Sequence, residues 1–320
     1  MGEFELINRY FAAASCAQGG EGVVLGIGDD CALLSLPPGE QLAVSTDTLV
    51  AGVHFPAICD PYLLGQRSLA VAASDLAAMG ATPIAFTLAL TLPDVGPDWL
   101  AAFAEGLSKM AHRCHISLIG GDTTRGPLSI NVTVFGRVPA GQALRRSGAR
   151  PGDLLCVGAP LGNAAGALPL VLGEREAPAE LAEPLLSHFW SPMPQLSLGL
   201  MLRGRATAAL DISDGLLADC GHIAKASGVA LEVNLAQVPV SAALQAFLGQ
   251  EAAQWAALTG GDDYVLAFTL PPEALSALQS AVAVHVIGRV LEGQGVTLRD
   301  PQGQDITPVQ RGYQHFRETP

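Results

Sequence analysis

Aspartate occurs in this chain in short clusters, most of them flanked by glycine: GIGDDCA at 26–32, STDT at 45–48, SDLAAMG at 74–80, GGDTT at 120–124, DISDG at 211–215 and GGDDY at 260–264. Most fall where an apolar stretch reads as a strand ending or a helix beginning. Two carboxylates ~4 Å apart at an effective dielectric of ~20 repel by roughly 4 kcal/mol. A fold that draws several together therefore needs a cation among them. Hard carboxylate and hydroxyl oxygens suit Mg²⁺, Ca²⁺ or Mn²⁺, and Mg²⁺ keeps several waters and is shared with substrate phosphates. The clusters imply a magnesium–nucleotide site assembled from distant segments.

With 320 residues, the chain is long enough for two domains, and 49% hydrophobic residues supply a core for each. The net charge of −13 argues against a general nucleic-acid binder, which needs a basic footprint. It leaves room for a nucleotide, because Mg²⁺ brings its own positive charge. The six cysteines (16, 31, 59, 114, 156 and 220) form no CxxC pair, so reduced thiols in a cytoplasmic protein are expected. The most apolar window, 69–92, is interrupted by Asp75, Gly80 and Pro83 and reads as a helix followed by a strand rather than a membrane span. The opening MGEFELINRYF is acidic and amphipathic, unlike a signal peptide.

Periodicity predicts a helix over Glu3–Ala14 with Phe4, Ile7 and Phe11 on one face, strands at Val23–Ile27 and Leu42–Ser45, and a long helix over Pro61–Met79. A strand at Ile84–Leu92 and a helix at Trp99–His112 follow, the helix burying Leu100, Phe103, Leu107 and Met110. Ile116–Ile119 reads as a short strand running into GGDTT, and Ser129–Val138 alternates as a strand. The stretch Pro139–Gly152 has no apolar pattern and reads as a linker or functional loop. Beyond it, strands are expected at Leu154–Val157, Ala208–Ile212, Leu231–Val233, Tyr264–Thr269 and Ala283–Val290. Helices are expected at Leu161–Leu172, Pro184–His188, Pro194–Leu202, Leu216–Lys225, Ala242–Phe247 and Pro272–Ala281. The expected division is an α/β domain over 1–138, the loop 139–152, and a second α/β domain over 153–320.

Each cluster has a plain reading beside the chemical one. GIGDD follows a strand but lacks the third glycine of a dinucleotide fingerprint, so it is an acidic turn or a metal loop. Ser45, Thr46 and Asp47 offer metal-binding oxygens or a helix cap. Asp75 is an acid in a long apolar stretch and needs a partner or a metal, with Ser74 as a possible helix cap. Gly121 and Asp122 combine backbone N–H groups for phosphate with an acid for metal. Arg145 and Arg146 are phosphate clamps or surface charge. Asp211, Ser213 and Asp214 occupy a strand-to-helix switch where N–H groups meet an anion, and Asp262 and Asp263 repeat the strand-edge acid. His54 contacts a phosphate or is structural. Ser74–Asp75 and Ser213–Asp214–Gly215 form a weak two-fold echo, each read as opening a helix. There is no GxxxxGK[ST] loop, no HRD…DFG pair and no GxSxG elbow.

GIGDDCAL, STDTLVAGVHF, SDLAAMGATP, LIGGDTTRG, LRRSGARPGD, DISDGL, GGDDYVL and GYQHF stand in the order found in the bacterial thiamine-monophosphate kinase family. The chain resembles that family from about Phe4 to its C-terminus, with STDTLVAGVHF, SDLAAMGA and DISDGL the most specific segments. The wider group comprises the aminoimidazole-ribonucleotide synthetase-like ATP enzymes. The resemblance implies a two-domain fold with mixed sheets, and homodimers whose N-terminal domains pair into a barrel-like core while the C-terminal domain closes the cleft. It implies ATP and thiamine monophosphate as ligands, several Mg²⁺ ions as cofactor, and neither nucleic acid nor membrane as partner. By similarity, Asp30, Ser45, Thr46, Asp47, Asp75, Asp122, Asp211 and Asp214 hold the metals. Gly121, Asp122, Arg146 and Ser213 contact ATP, and His54, Asp262 and Tyr313 contact the thiamine phosphate. Asp30, Asp75, Asp122, Asp214 and Arg146 carry the catalysis. The family often has GGEDYEL where this chain has Asp262, one methylene shorter, so that contact is expected to be less direct.

The expected reaction is direct in-line phosphoryl transfer without a phosphoenzyme, since no residue stands out as a nucleophile and the acceptor is itself a phosphate. Two other readings stand beside it: a related ATP-dependent synthetase, and a silent Mg–nucleotide-binding regulator.

Overall fold

The computed structural model describes residues 2–94 and 96–313. Of the tail at 312–320, which opens with GYQHF, residues 314–320 lie outside the described residues, as does the side chain of Phe4 on the first helix. The chain divides into two compact units, one of Met1–Leu76, Ala81–Ala143 and Trp190–Leu196, the other of Ala77–Gly80, Leu144–Phe189 and Ser197–Pro320.

The first unit opens with α1 (Glu3–Leu6), which passes into a π-helical turn over Ile7–Ala12 rather than continuing as the expected α-helix to residue 14. A small hairpin follows, β1 (Val23–Leu25) and β2 (Leu33–Leu34). Then come β3 (Glu40–Val50), α2 (Pro61–Ala78), β4 (Thr82–Leu92), α3 (Pro97–Cys114), β5 (Ser117–Arg125) and β6 (Ser129–Pro139). Their sheet runs β3-β6-β4-β5, with β4 and β5 parallel across the α3 crossover and the other pairs antiparallel. Period-2 alternation puts Ile130, Val132, Val134 and Val138 of β6 on the buried face. Helix α3 buries Leu100, Phe103, Leu107 and Met110, as its spacing requires. Each of these side chains contributes on the order of 2 kcal/mol. Trp99 stacks on Phe103 with ring centroids 5.0 Å apart.

Two sequence expectations fall short here. STDT does not end a strand; it lies in the middle of β3. GGDTT does not follow a strand; it is part of β5. In both cases polar residues continue a ladder begun by neighbouring apolar ones, and the pairing with β6 and β4 overrides their turn propensity. Ser74 does not cap a helix either. It sits inside α2, fully buried, whereas Ser213–Gly215 precede a helix, so the two-fold echo is not a structural correspondence.

In the second unit follow β7 (Leu154–Val157), α4 (Asn163–Val171), α5 (Ala179–Trp190), α6 (Leu196–Leu202), β8 (Ala208–Asp211), α7 (Leu216–Ser227) and β9 (Ala230–Asn234). The unit ends with α8 (Ala242–Leu248), α9 (Gln250–Thr259), β10 (Leu266–Leu270), α10 (Pro272–Gln279), β11 (His285–Leu291) and β12 (Gly295–Arg299). The mixed sheet runs β12-β9-β11-β7-β10-β8, parallel only between β12 and β9. β8 and β10 are buried throughout, and their side chains join those of α7 in one apolar core. α9 and β12 were not expected. The α9 face rests on Ala253, Ala257 and Leu258, a weak apolar signal in an alanine-rich stretch. Among the described residues no helix is long and apolar enough to cross a membrane.

Candidate active site

In the first unit, β3 and α2 bring three of the expected groups together. Ser45 and Asp47 alternate onto the half-buried face of β3, and the Ser45 hydroxyl donates to Oδ2 of Asp75 in α2. Asp75 is half-buried in a helix that is otherwise closed to solvent around it. Thr46 points to the opposite face, where its hydroxyl lies 2.8 Å from that of Thr133. Asp30 stands exposed on the β1–β2 loop. The hairpin is seated by Val23, Ala32, Leu34 and Leu36, which pack, as Phe135 does, on Ile84, Ala85 and Ile119. His54 follows β3 in a turn. Its Nδ1 accepts the Val50 N–H at 3.0 Å, which fixes the ring proton on Nε2, and its carbonyl accepts from Arg67 at 3.3 Å.

Asp122 is not part of this group. Rows of paired residues run across the sheet: Asp47, Val132, Leu88 and Gly121 form one, and Thr48, Asn131, Ala89 and Asp122 the next. Asp47 and Asp122 therefore leave opposite faces at opposite edges. Three strand spacings separate them, about 14 Å. An Mg²⁺ ion holds its oxygens at ~2.0–2.1 Å, so its ligands lie within about 4 Å of one another. One copy of the chain does not bring both acids to one ion. The reason is local: Leu118 pairs with Phe86 but Gly120 with Thr87, so Ile119 is an extra residue and the bulge turns the end of β5 over. Gly121 (φ 149°) completes the bulge, and a Cβ there would stand 1.8 Å from the Leu88 carbonyl oxygen.

The second unit assembles its own cluster from three segments. The DISDG loop joins β8 to α7, and the GGDDY segment lies along it. Asp262 N–H donates to the Ser213 carbonyl at 2.8 Å, Tyr264 N–H to that of Ile212 at 2.8 Å, and Ile212 N–H to that of Val265 at 2.9 Å. Gly261 permits this approach; a Cβ there would meet the Ser213 oxygen at 2.2 Å. The segment around Gly312 closes on the same loop, with Tyr313 N–H donating to the Asp214 carbonyl at 2.9 Å. Asp211, Ser213, Asp214, Asp262 and Tyr313 are thus gathered on one framework. Asp262 has φ 73°, a left-handed backbone that aspartate tolerates better than longer side chains. The loop bearing Arg145 and Arg146 covers the free edge of β8: Ala209 N–H donates to the Arg145 carbonyl at 2.8 Å, and Ser227 Oγ donates to that of Arg146 at 3.2 Å. Both arginine residues are exposed.

Three residues to which the motif reading gave no role lie at or beside this framework: Asp263, Asp219 and His222. Asp263, only 1% exposed, accepts the Gly162 N–H with both oxygens, at 2.9 and 2.8 Å, and caps the start of α4. Burial raises its carboxyl well above the usual range, against the pull of the N–H groups at the helix start, and the neighbouring Asp262 adds to the rise. Asp219, 4% exposed, accepts three consecutive N–H groups with one oxygen: Ser213 at 3.0 Å, Asp214 at 3.0 Å and Gly215 at 3.1 Å. Burial lifts its carboxyl to about 6, opposed by those N–H bonds and aided by the charge of Asp214. Asp214, Asp219 and His222 bring ligand atoms within 4.8 Å of one another. The available signal was an acid in the first turn of the helix that follows DISDG.

The chemistry of these donors suits a hard divalent cation. Carboxylates and hydroxyls dominate, no thiol takes part, and all six cysteines are free, four of them buried. The exposed guanidinium of Arg146 suits phosphate.

Known proteins align with the chain over nearly all of it. The family model for AIR synthase related protein, N-terminal domain, matches residues 28–138, and that for the C-terminal domain matches residues 150–301. A thiamine-monophosphate kinase of Escherichia coli (strain K12) is 46% identical over 324 residues, 98% of each chain. One from Haemophilus influenzae is 39% identical over 328 residues, covering 100% of this chain and 99% of its own. The crystal structure of thiamine-monophosphate kinase from Stenotrophomonas maltophilia K279a superposes with a TM-score of 0.82 at 47% identity, over 87% of this chain and 91% of that one. AaThiL complexed with AMPPCP and TMP superposes with a TM-score of 0.80 at 30% identity, over 88% and 89%.

Proposed function

The chain belongs to the thiamine-monophosphate kinase family, within the AIR synthase related proteins, and from that premise we infer that it transfers the γ-phosphoryl group of ATP to thiamine monophosphate, giving thiamine diphosphate and ADP. The observation that carries this reading is that proteins of this one activity match the chain end to end, at 46% identity over 98% of both. AMPPCP, the nucleotide in the AaThiL complex, is a non-hydrolysable analogue of ATP.

An ATP-dependent kinase calls for a divalent cation. In our reading this is Mg²⁺, in several copies, held in the first unit by Asp30, Ser45, Thr46, Asp47, Asp75 and Asp122, and in the second by Asp211 and Asp214. When bound, it neutralises the two polyanions and stabilises the charge of the transition state. The remaining steps fall to the chain. Gly121 and Ser213 offer groups to the nucleotide, and Arg146 adds a fixed two-pronged positive charge to its phosphates. His54, Asp262 and Tyr313 orient thiamine monophosphate. His54 presents a neutral ring with its proton on Nε2, a donor suited to a phosphate oxygen. The acceptor phosphate is largely ionised near neutral pH, so attack is in line and needs no strong base.

The working form is a homodimer paired through the first unit. β3 and β5 are long edge strands, and edges of this kind invite pairing. Leu42 and Val44 (54% exposed) leave apolar surface open on β3 itself, and Val24 and Leu33 of the hairpin are exposed as well. Setting β5 of a second copy beside β3 closes the two sheets into a barrel and carries the partner's Asp122 toward Thr46 and Asp47, which the chain's own Asp122 does not approach. The protein acts in the cytoplasm, in keeping with its free thiols.

The test is product formation from purified protein, ATP, Mg²⁺ and thiamine monophosphate, with free thiamine as a parallel acceptor. Thiamine diphosphate formed from the monophosphate and abolished by EDTA is expected; Mg-dependent nucleotide binding without that product contradicts the reading.

A further inference from the structure

We propose that Asp219 is a positioning residue for phosphoryl transfer: its buried carboxylate holds the peptide groups of Ser213, Asp214 and Gly215 in one conformation, and so aims the Asp214 carboxylate and the Ser213 side chain at magnesium-bound nucleotide. The inference rests on the assignment of Asp214 and Ser213 made above. Its basis is geometric. One oxygen of Asp219 accepts all three N–H groups at 3.0, 3.0 and 3.1 Å. Three successive N–H groups thus turn inward onto one atom, which fixes the loop from which the Ser213 and Asp214 side chains project. Ser213 is accordingly exposed and Asp214 half-buried, while Gly215 and Asp219 are buried.

The carbonyls of the same peptides are held from other sides, Ser213 by Asp262 and Asp214 by Tyr313. The N–H side rests on Asp219 alone among the described residues. Asp219 is fixed in turn by the first turn of α7, where Leu216, Leu217 and Cys220 are fully buried. Its position is therefore set by the core, and it transmits that position to the loop. A carboxylate is the residue chemistry for this task, since an ionised acceptor bonds N–H groups about twice as strongly as a neutral one.

The experiment compares Asp219→Ala, Asp219→Asn and Asp214→Asn in the full chain. It measures amide hydrogen exchange at residues 213–215 in the ligand-free protein, the dissociation constant of magnesium with a non-hydrolysable ATP analogue, and the Mg²⁺ dependence of turnover. Asp219→Ala should expose the three amides to exchange and weaken magnesium–nucleotide binding about 10- to 100-fold, as for other residues that orient metal ligands. Half-saturating Mg²⁺ should rise in parallel, with kcat at saturating Mg²⁺ changed by less than about threefold, a split that general loss of structure would not produce. Asp219→Asn keeps a neutral acceptor and should show a smaller loss, about threefold to tenfold. If the alanine variant does not fold, the asparagine variant decides. Wild-type nucleotide affinity in either folded Asp219 variant, while Asp214→Asn weakens it, overturns the proposal alone. Wild-type affinity in Asp214→Asn overturns the assignment of Asp214, and the proposal with it.

Discussion

At the residue scale, adjacent acids in this protein do different work. Asp263 turns inward and caps α4, while Asp262 is held in a left-handed backbone and is half-buried. The left-handed conformation costs a non-glycine residue about 1–2 kcal/mol, which asparagine and aspartate partly recover. Asp262→Gly should therefore melt no lower than the parent chain, while its KM for thiamine monophosphate rises about tenfold through loss of a charged contact. Steady-state kinetics beside thermal unfolding check this; an unchanged KM contradicts the substrate role. The sequence made Asp262 visible because glycine punctuates the segment. The residue pattern by itself did not tell Asp262 from Asp263, a distinction that came from the resemblance alone, because the partner of Asp263 is the start of α4, 101 residues away in the chain. Asp219 was hidden for a similar reason. Its partners are backbone N–H groups, which leave no mark on residue identity.

At the element scale, helix starts and buried ionisable groups set the stability. Asp263→Ala leaves the N–H groups at the start of α4 without their acceptor and should lower stability by about 3 kcal/mol, read from denaturant unfolding. A change below about 0.5 kcal/mol would show that water replaces the carboxylate there. His188 in α5 is largely enclosed, and burial lowers its pKa below 6.5. The unfolded chain then binds the proton more readily than the folded one, so the neutral ring's contribution is full above pH 6.5 and is lost as pH falls below it. The Tm difference between the parent chain and His188→Gln should shrink on going from pH 7 to about pH 5; parallel Tm curves contradict it. Elements with a clear apolar period were legible in the sequence, α3 most clearly. β3 and β5 were legible only in part. Their polar halves, STDT and GGDTT, owe their extended form to neighbouring strands, and the bulge at Ile119 that turns Asp122 over has no sequence signature beyond a pair of glycines.

At the scale of the whole molecule, the separation of Asp122 from Asp47 is what the proposed pairing of two copies would bridge. Asp75→Asn and Asp122→Asn should each nearly abolish turnover when alone. If one site takes Asp75 from one copy and Asp122 from the other, a mixed dimer of the two variants regains one intact site of two. Random re-assortment makes half of the dimers mixed, so re-equilibrating equal amounts should restore about a quarter of parental activity. No recovery, with mixed dimers demonstrated, would place both acids on one copy's site. Direct transfer between two bound phosphates is tested by following ATP labelled in the γ-phosphate through a single turnover with Mg²⁺ and thiamine monophosphate. The label should pass into thiamine diphosphate in step with ADP release, with none retained on the protein; label held covalently by the protein, or released only as inorganic phosphate, would contradict it.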